Sequence, residues 1–232
     1  KKNDRADARW IFRYSQQCET KEWKIPAREQ VECQQMLSGI RGYNRQRNML
    51  LNQLHSIETL PWQSAEMKRS LKQMIKKAGA EIEKLQQKLE EKIKVWMPGQ
   101  SENLQSIPGL GKRAAAMLIV FTSGFEKVEN HRQLISMAGL NPVEHTSGSS
   151  IRGKTRICKM GGGQLRNILY MCSMSAIKFN KACKALYERL IAKGKNGKVA
   201  LIAVCNKLLK QAFAIAKSGT LYNENYMNPK PI

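Results

Sequence analysis

Aspartate is almost missing from this chain: Asp4 and Asp7 are the only two among 232 residues. Acidic residues of both kinds number 18 against 40 Lys and Arg, a formal net charge of +22. Such an excess repels itself unless a polyanion is present, so nucleic acid is the expected partner, ahead of an anionic membrane surface. Long apolar runs are missing too. No stretch approaches the roughly 18 uninterrupted apolar residues of a membrane span. The amphipathic stretches carry Glu among their Lys and have no Trp- or Phe-rich insertion face, so no membrane attachment is expected. Lys1, Lys2, Asp4, Arg5 and Asp7 precede any apolar run, which is unlike a secretory leader. No CxxC pair occurs among the six cysteines, Cys18, Cys33, Cys158, Cys172, Cys183 and Cys205. That excludes a zinc ribbon or disulfide framework and fits reduced thiols in the cytoplasm. Strand-period alternation is also lacking, apart from a short hairpin expected around Ser149–Cys158.

What is present is helical. A hydrophobic share of 42% is enough to bury a core and argues against disorder. From Ala27 onward Leu37, Ile40, Met49, Leu50, Leu54 and Ile57 recur at helical intervals until Pro61 and Trp62 interrupt them. Ser64, a fitting N-cap, opens a second run in which Met67, Leu71, Met74, Ala78, Ile82, Leu85, Leu89 and Ile93 step by three and four. Pro98 and Gly99 end it. Two helices of this length predict either an antiparallel hairpin within the chain or an intermolecular coiled coil. Beyond about Glu102, apolar helices are expected at 114–121, 134–138, 165–177, 182–191 and 199–216, with a Gly/Ser loop from Thr146 to Gly163. The fold class is therefore mainly α: a long helical coiled-coil arm followed by a compact helix-rich domain. The segments divide as 1–22, 23–98 and 99–232.

Three constellations carry chemistry. Ile107-Pro108-Gly109-Leu110-Gly111-Lys112 leads into a run of alanines, a turn like the hairpin of helix-hairpin-helix DNA-binding proteins. Gly109 and Gly111 would let the backbone approach a phosphate at a helix start, with Lys112 and Arg113 adding attraction. Without a ligand, the same residues make a helix–helix turn. Asp4 and Asp7, three apart, fall on one helix face, about 5–6 Å apart at Cβ. They are able to share Mg²⁺ or simply to favour a helix start. His145 to Lys154 places Ser147, Ser149 and Ser150 before Arg152, Lys154, Arg156 and Lys159. A serine alkoxide attacks a phosphodiester when cations stabilise its charge, and otherwise this is a solvated loop. Between His145 and Asn223 the sole acidic residue is Glu188, against fifteen basic ones, Arg166 among them.

Taken in order, these residues resemble the DEDD-type insertion-sequence transposases, a group that includes the Piv-like DNA invertases and the bridge-RNA-guided recombinases. The likeness rests on Lys2-Asn3-Asp4-Arg5-Ala6-Asp7-Ala8-Arg9, Ser106-Ile107-Pro108-Gly109-Leu110-Gly111 and Ala138-Gly139-Leu140-Asn141-Pro142. It continues through Ser147-Gly148-Ser149-Ser150-Ile151-Arg152-Gly153, Cys158-Lys159-Met160-Gly161 and Leu165-Arg166-Asn167-Ile168-Leu169-Tyr170-Met171. The resemblance implies that 1–22 is the end of a RuvC-like nuclease domain, 23–98 a coiled-coil arm and 99–232 a transposase domain. It implies a DNA recombinase with Ser147 as nucleophile and Asp4 and Asp7 as the last two of four acidic Mg²⁺ ligands. The first two are expected upstream of this chain, so the chain alone is expected to bind but not to recombine. Gly109, Gly111, Lys112, Arg113, Arg152, Lys154, Arg156, Lys159 and Arg166 are the expected nucleic-acid contacts. DNA, a structured guide RNA and a dimeric or tetrameric assembly through the arm are the implied partners, in a bacterial cytoplasm at the nucleoid. A reading from another class is a non-catalytic nucleic-acid-binding adaptor that uses only the basic face and the Pro-Gly-x-Gly turn.

Overall fold

A computed structural model describes residues 3–19, 25–144, 146–147, 151–153 and 155–226. The chain is mainly α, as its composition requires. Helix α1 spans Asp4–Gln17. Asn3 caps it from an extended conformation, its Oδ1 accepting the Ala6 N–H at 2.7 Å. Both aspartates fall in the first turn, where carboxylates favour the positive end of the helix dipole. No residue of α1 is buried.

The arm is α2, Arg28–Glu58, and α3, Ala65–Trp96. Ser64 caps α3 by accepting the Met67 N–H at 3.3 Å. Within the chain α2 and α3 pack along each other as a helical hairpin. Cys33 and Ile40 of α2 meet Ile82, Leu89 and Ile93 of α3 in the buried cluster. Each helix reaches about 45 Å at 1.5 Å per residue. Glu32 fastens the base, accepting from Arg28 Nε at 2.8 Å and from Lys92 Nζ. Those two cations, Lys92 first, hold its carboxyl below the usual range. Gln30 then joins arm to domain, its Nε2 donating to Ser123 Oγ where both residues are buried.

The globular part comprises α4, Gln100–Gln105; α5, Lys112–Thr122; α6, His131–Met137; α7, Gly163–Phe179; α8, Lys181–Ala192; and α9, Gly197–Ser218. The five expected helices are present with ends displaced by a few residues, and α4 is an addition. Helices α7, α8 and α9 pack on one another, α5 lies on α7, and α4 and α6 lean on α9. Leu118, Ile119, Leu165, Leu169, Leu208 and Leu209 are essentially inaccessible. Each such side chain contributes about 1.5–3 kcal/mol of burial free energy. Among the described residues α9 alone is long and apolar enough to cross a membrane, with mean hydropathy 1.6. Val204, Cys205, Leu208, Leu209 and Ala212 instead bury one side of it in this core.

Two short ladders lie between α6 and α7. β1, Pro142–Val143, pairs antiparallel with β4, Arg156–Ile157. β2, Thr146–Ser147, pairs antiparallel with β3, Ile151–Arg152. The hairpin is thus longer than sequence alternation predicted, starting at Pro142 rather than Ser149. Its strands are too short for a period of two to register in the sequence.

Candidate serine hairpin and nucleic-acid interface

The hairpin stands on a crossing of two backbones. Gly139, at φ +64, would carry a Cβ only 2.3 Å from the Met160 carbonyl oxygen, and Gly161, at φ +99, one 2.3 Å from that of Met137. Only glycine at both places allows this approach. The crossing is closed by hydrogen bonds from Lys159 N to Gly139 O at 3.0 Å, Gly162 N to Met137 O at 2.9 Å and Cys158 N to Asn141 O at 2.9 Å. Arg166, half-buried on α7, donates Nη1 to Ala138 O at 2.8 Å, and Asn206 Nδ2 reaches Leu140 O at 3.5 Å from α9. The stem is therefore fixed to α6, α7 and α9.

Above this foot, Ser147 pairs in register with Ile151, and Arg152 with Thr146. Arg156 and Lys159 follow on the descending strand, both exposed, with Lys159 in the left-handed region at φ +59. The exposed Arg156 and Lys159 side chains suit phosphate. His145, Ser149, Ser150 and Lys154 lie outside the described residues.

The Pro-Gly-x-Gly turn divides into two halves. A Cβ on Gly109, at φ +97, would sit 2.7 Å from that of Ala176 on α7. Asn180, fully buried, donates Nδ2 to the Pro108 carbonyl at 3.4 Å and accepts the Cys183 N–H at 3.1 Å. Packing against α7 therefore accounts for Gly109. Gly111 differs: it caps α5 with nothing within 4 Å of its would-be Cβ. Arg113 beside it is exposed and outside every described ion pair, whereas Lys112 Nζ lies 3.6 Å from Glu90 of the arm. Open backbone, a helix start and cations fit a phosphate.

Asp4 and Asp7 are both exposed on α1, and no hydrogen bond or ion pair among the described residues joins them to the hairpin. Two carboxylates one turn apart are hard oxygen donors that suit part of a Mg²⁺ shell. Among the described residues no group of three or more His, Cys, Asp or Glu side chains is arranged for a metal. Burial disfavours the core thiols as nucleophiles, pushing those of Cys183 to about 12 and Cys205 to about 11 and raising that of Cys172. Such thiols stay protonated at neutral pH. Sequence reasoning missed Asn180, Asn206 and Gln30, whose partners lie 72, 66 and 93 residues away in the chain.

The helical part of the chain that carries this hairpin is similar to a family of transposases. Residues 101–188 match the family model described as Transposase IS116/IS110/IS902 family. The chain is 31% identical over 119 residues to the "Insertion element IS110 uncharacterized 43.6 kDa protein" of Streptomyces coelicolor, covering 51% of this chain and 29% of that one. It is also 31% identical over 123 residues to the "Pilin gene-inverting protein" of Moraxella lacunata, covering 52% and 38%, and equally to that of Moraxella bovis. Residues 101–188 are thus similar to the IS116/IS110/IS902 transposase family, and the similarity to these relatives extends over about half of the chain. The chain matches less than half the length of each of these curated relatives.

Proposed function

We propose that the chain is the arm and serine domain of an insertion-sequence recombinase that cuts and rejoins DNA through Ser147. The observation that supports this reading is the glycine crossing at Gly139 and Gly161, which fixes the foot of the hairpin in which the strand of Ser147 pairs with that of Arg152. In the proposed step Ser147 Oγ attacks a backbone phosphorus. The Oγ–P bond forms as one bridging P–O bond to deoxyribose breaks; the hydroxyl proton goes to solvent, and the leaving oxygen takes one up. Attack by another DNA hydroxyl reverses the step and rejoins strands, so bond energy is conserved. Arg152, Lys154, Arg156 and Lys159 neutralise the phosphate along the hairpin, while Gly111, Lys112 and Arg113 hold backbone at the α5 start. Asp4 and Asp7 would hold Mg²⁺, which when bound stabilises negative charge on the reacting phosphate.

The divisions at 1–22, 23–98 and 99–232 are read as nuclease-domain end, arm and transposase domain. Self-association through the arm, a structured RNA guide and a cytoplasmic site of action belong to the same reading. The test is mass spectrometry of protein–DNA adducts from the full-length protein. A phosphodiester on Ser147, absent from Ser147→Ala while that variant still binds DNA, is expected. An adduct on any other residue, or a full-length protein that binds and never forms one, overturns the proposal; the latter outcome is that of an adaptor.

A further inference from the structure

The base of the arm meets the domain across a cavity of about 700 Å³. Its floor is apolar, built by Leu37 and Ile40 of α2, Leu89 of α3, Met117 of α5 and Ile168 of α7. Apolar junctions between helices normally close to crystal-like density. This one opens to solvent, and Met171 at its edge is 65% exposed. Four carboxamides also line it: Asn44, whose Nδ2 donates to the Ile40 carbonyl at 2.7 Å, and Gln86, Gln164 and Asn167. No hydrogen bond among the described residues engages the side chains of the last three. Arg41 and Arg113 stand at the rim, exposed and free of described ion pairs, beside the start of α5, where Gly111 offers no side-chain cap. The one carboxylate in the lining, Glu90, faces Lys112 at 3.6 Å.

An apolar peptide would match the floor but leave those three carboxamides and the cationic rim without partners. The chain of a fatty acid, whose carboxylate could meet the rim, would still leave the carboxamides without partners. A nucleobase matches all three features. It is a flat apolar body whose edge carries donors and acceptors, and carboxamides offer both. Its phosphate is the anion that the rim lacks. The volume falls within the roughly 300–1,000 Å³ usual for small-ligand sites. We propose that this cavity receives one unpaired nucleotide of a bound nucleic acid, base on the apolar floor and phosphate on Arg41 and Arg113. The inference rests on the nucleic-acid reading above and adds a site apart from the serine hairpin. A fully paired duplex presents no such base without unstacking it, at a cost of a few kcal/mol. The site therefore selects a bulge or loop.

The test uses the 232-residue chain and hairpin oligonucleotides in DNA and RNA versions. One is fully paired and the other carries a single extrahelical 2-aminopurine. The bulged probe is expected to bind about tenfold more tightly than the paired one at fixed salt, about 1.4 kcal/mol. Its 2-aminopurine emission should change on binding. The tighter version, DNA or RNA, identifies the source of the nucleotide. Asn167→Trp, at an exposed helical position where folding is preserved, plugs the mouth and should abolish the preference. Equal binding of both probes, or a preference that survives Asn167→Trp, overturns the cavity assignment and leaves the nucleic-acid reading standing. Binding of neither probe overturns both.

Discussion

Arg166 on α7 donates Nη1 to the carbonyl oxygen of Ala138 at 2.8 Å, directly beside the crossing of Gly139 and Gly161. A guanidinium in that position fixes the foot of the serine hairpin. The sequence alone offers it as one more phosphate contact among many basic residues. The geometry gives it a positioning role as well, with only part of its donor fork facing outward.

Arg166→Ala is accordingly expected to lower stability by about 1.5–3 kcal/mol, the range for a hydrogen bond made by a charged group. Arg166→Lys should restore little, because an ammonium does not reproduce the planar fork. Chemical denaturation measures both variants. If Arg166→Ala leaves stability intact and instead reduces the salt slope of DNA binding by about one, the residue is a phosphate contact only.

The two glycines of the Pro-Gly-x-Gly turn separate packing from binding. Gly109→Ala meets both a left-handed φ of +97° and a 2.7 Å approach to Ala176, so a loss of at least about 2 kcal/mol is expected. Gly111, at φ −81° with open space around it, should accept alanine within about 0.5 kcal/mol. The same substitution should weaken DNA binding by crowding the start of α5. Equal stability losses in both variants would show that the turn is purely structural.

Much of this architecture is legible in the sequence, and the illegible part has one cause. Ser64, the three-and-four stepping of Leu71, Ala78, Ile82 and Leu89, and Pro98-Gly99 specify an arm helix locally, and it forms. The alanines after Gly111 predict α5 for the same reason. The serine loop stands out in the sequence as a residue pattern, but its foot does not. Gly139 and Gly161 are required by each other, Asn180 by Pro108, and Gln30 by Ser123, pairings far apart in the chain. No local periodicity encodes such contacts. The arm-base cavity is likewise assembled from α2, α3, α5 and α7, and no single segment announces it.

Burial of Cys183 and Cys205 sets a pH dependence. In the unfolded chain these thiols ionise near the ordinary value of 9.0; in the folded state burial holds them to about 12 and about 11. Above pH 9 the unfolded state binds fewer protons, so stability falls as pH rises toward 11–12 and their contribution is complete below 9. Guanidinium midpoints from pH 8 to 10.5 should drop progressively. Cys183→Ala should flatten that slope whatever it does to the absolute value. An unchanged slope would mean that the thiol is not the titrating group.

The distal arm carries apolar surface that the hairpin does not cover. Trp62 is 89% exposed and Leu60, Met67 and Met74 are each more than half exposed, while the buried seam of α2 ends at Ile40. Isolated exposed apolar residues are ordinary, but several at the end of a long arm fit the self-association proposed above. A second arm tip is the proposed occupant, since it presents the same residues and makes a self-complementary two-fold contact. Met67→Glu combined with Met74→Glu places like charges across that contact, where repulsion and desolvation both oppose association. Sedimentation velocity should show the unaltered chain as an oligomer and the double variant as a monomer with unchanged helical content. DNA affinity per chain should persist, because the cationic hairpin and the α5 start lie at the other end of the molecule's long arm. A double variant that sediments like the unaltered chain would move the self-association surface elsewhere, with the exposed Trp10-Ile11-Phe12 face of α1 the next to vary.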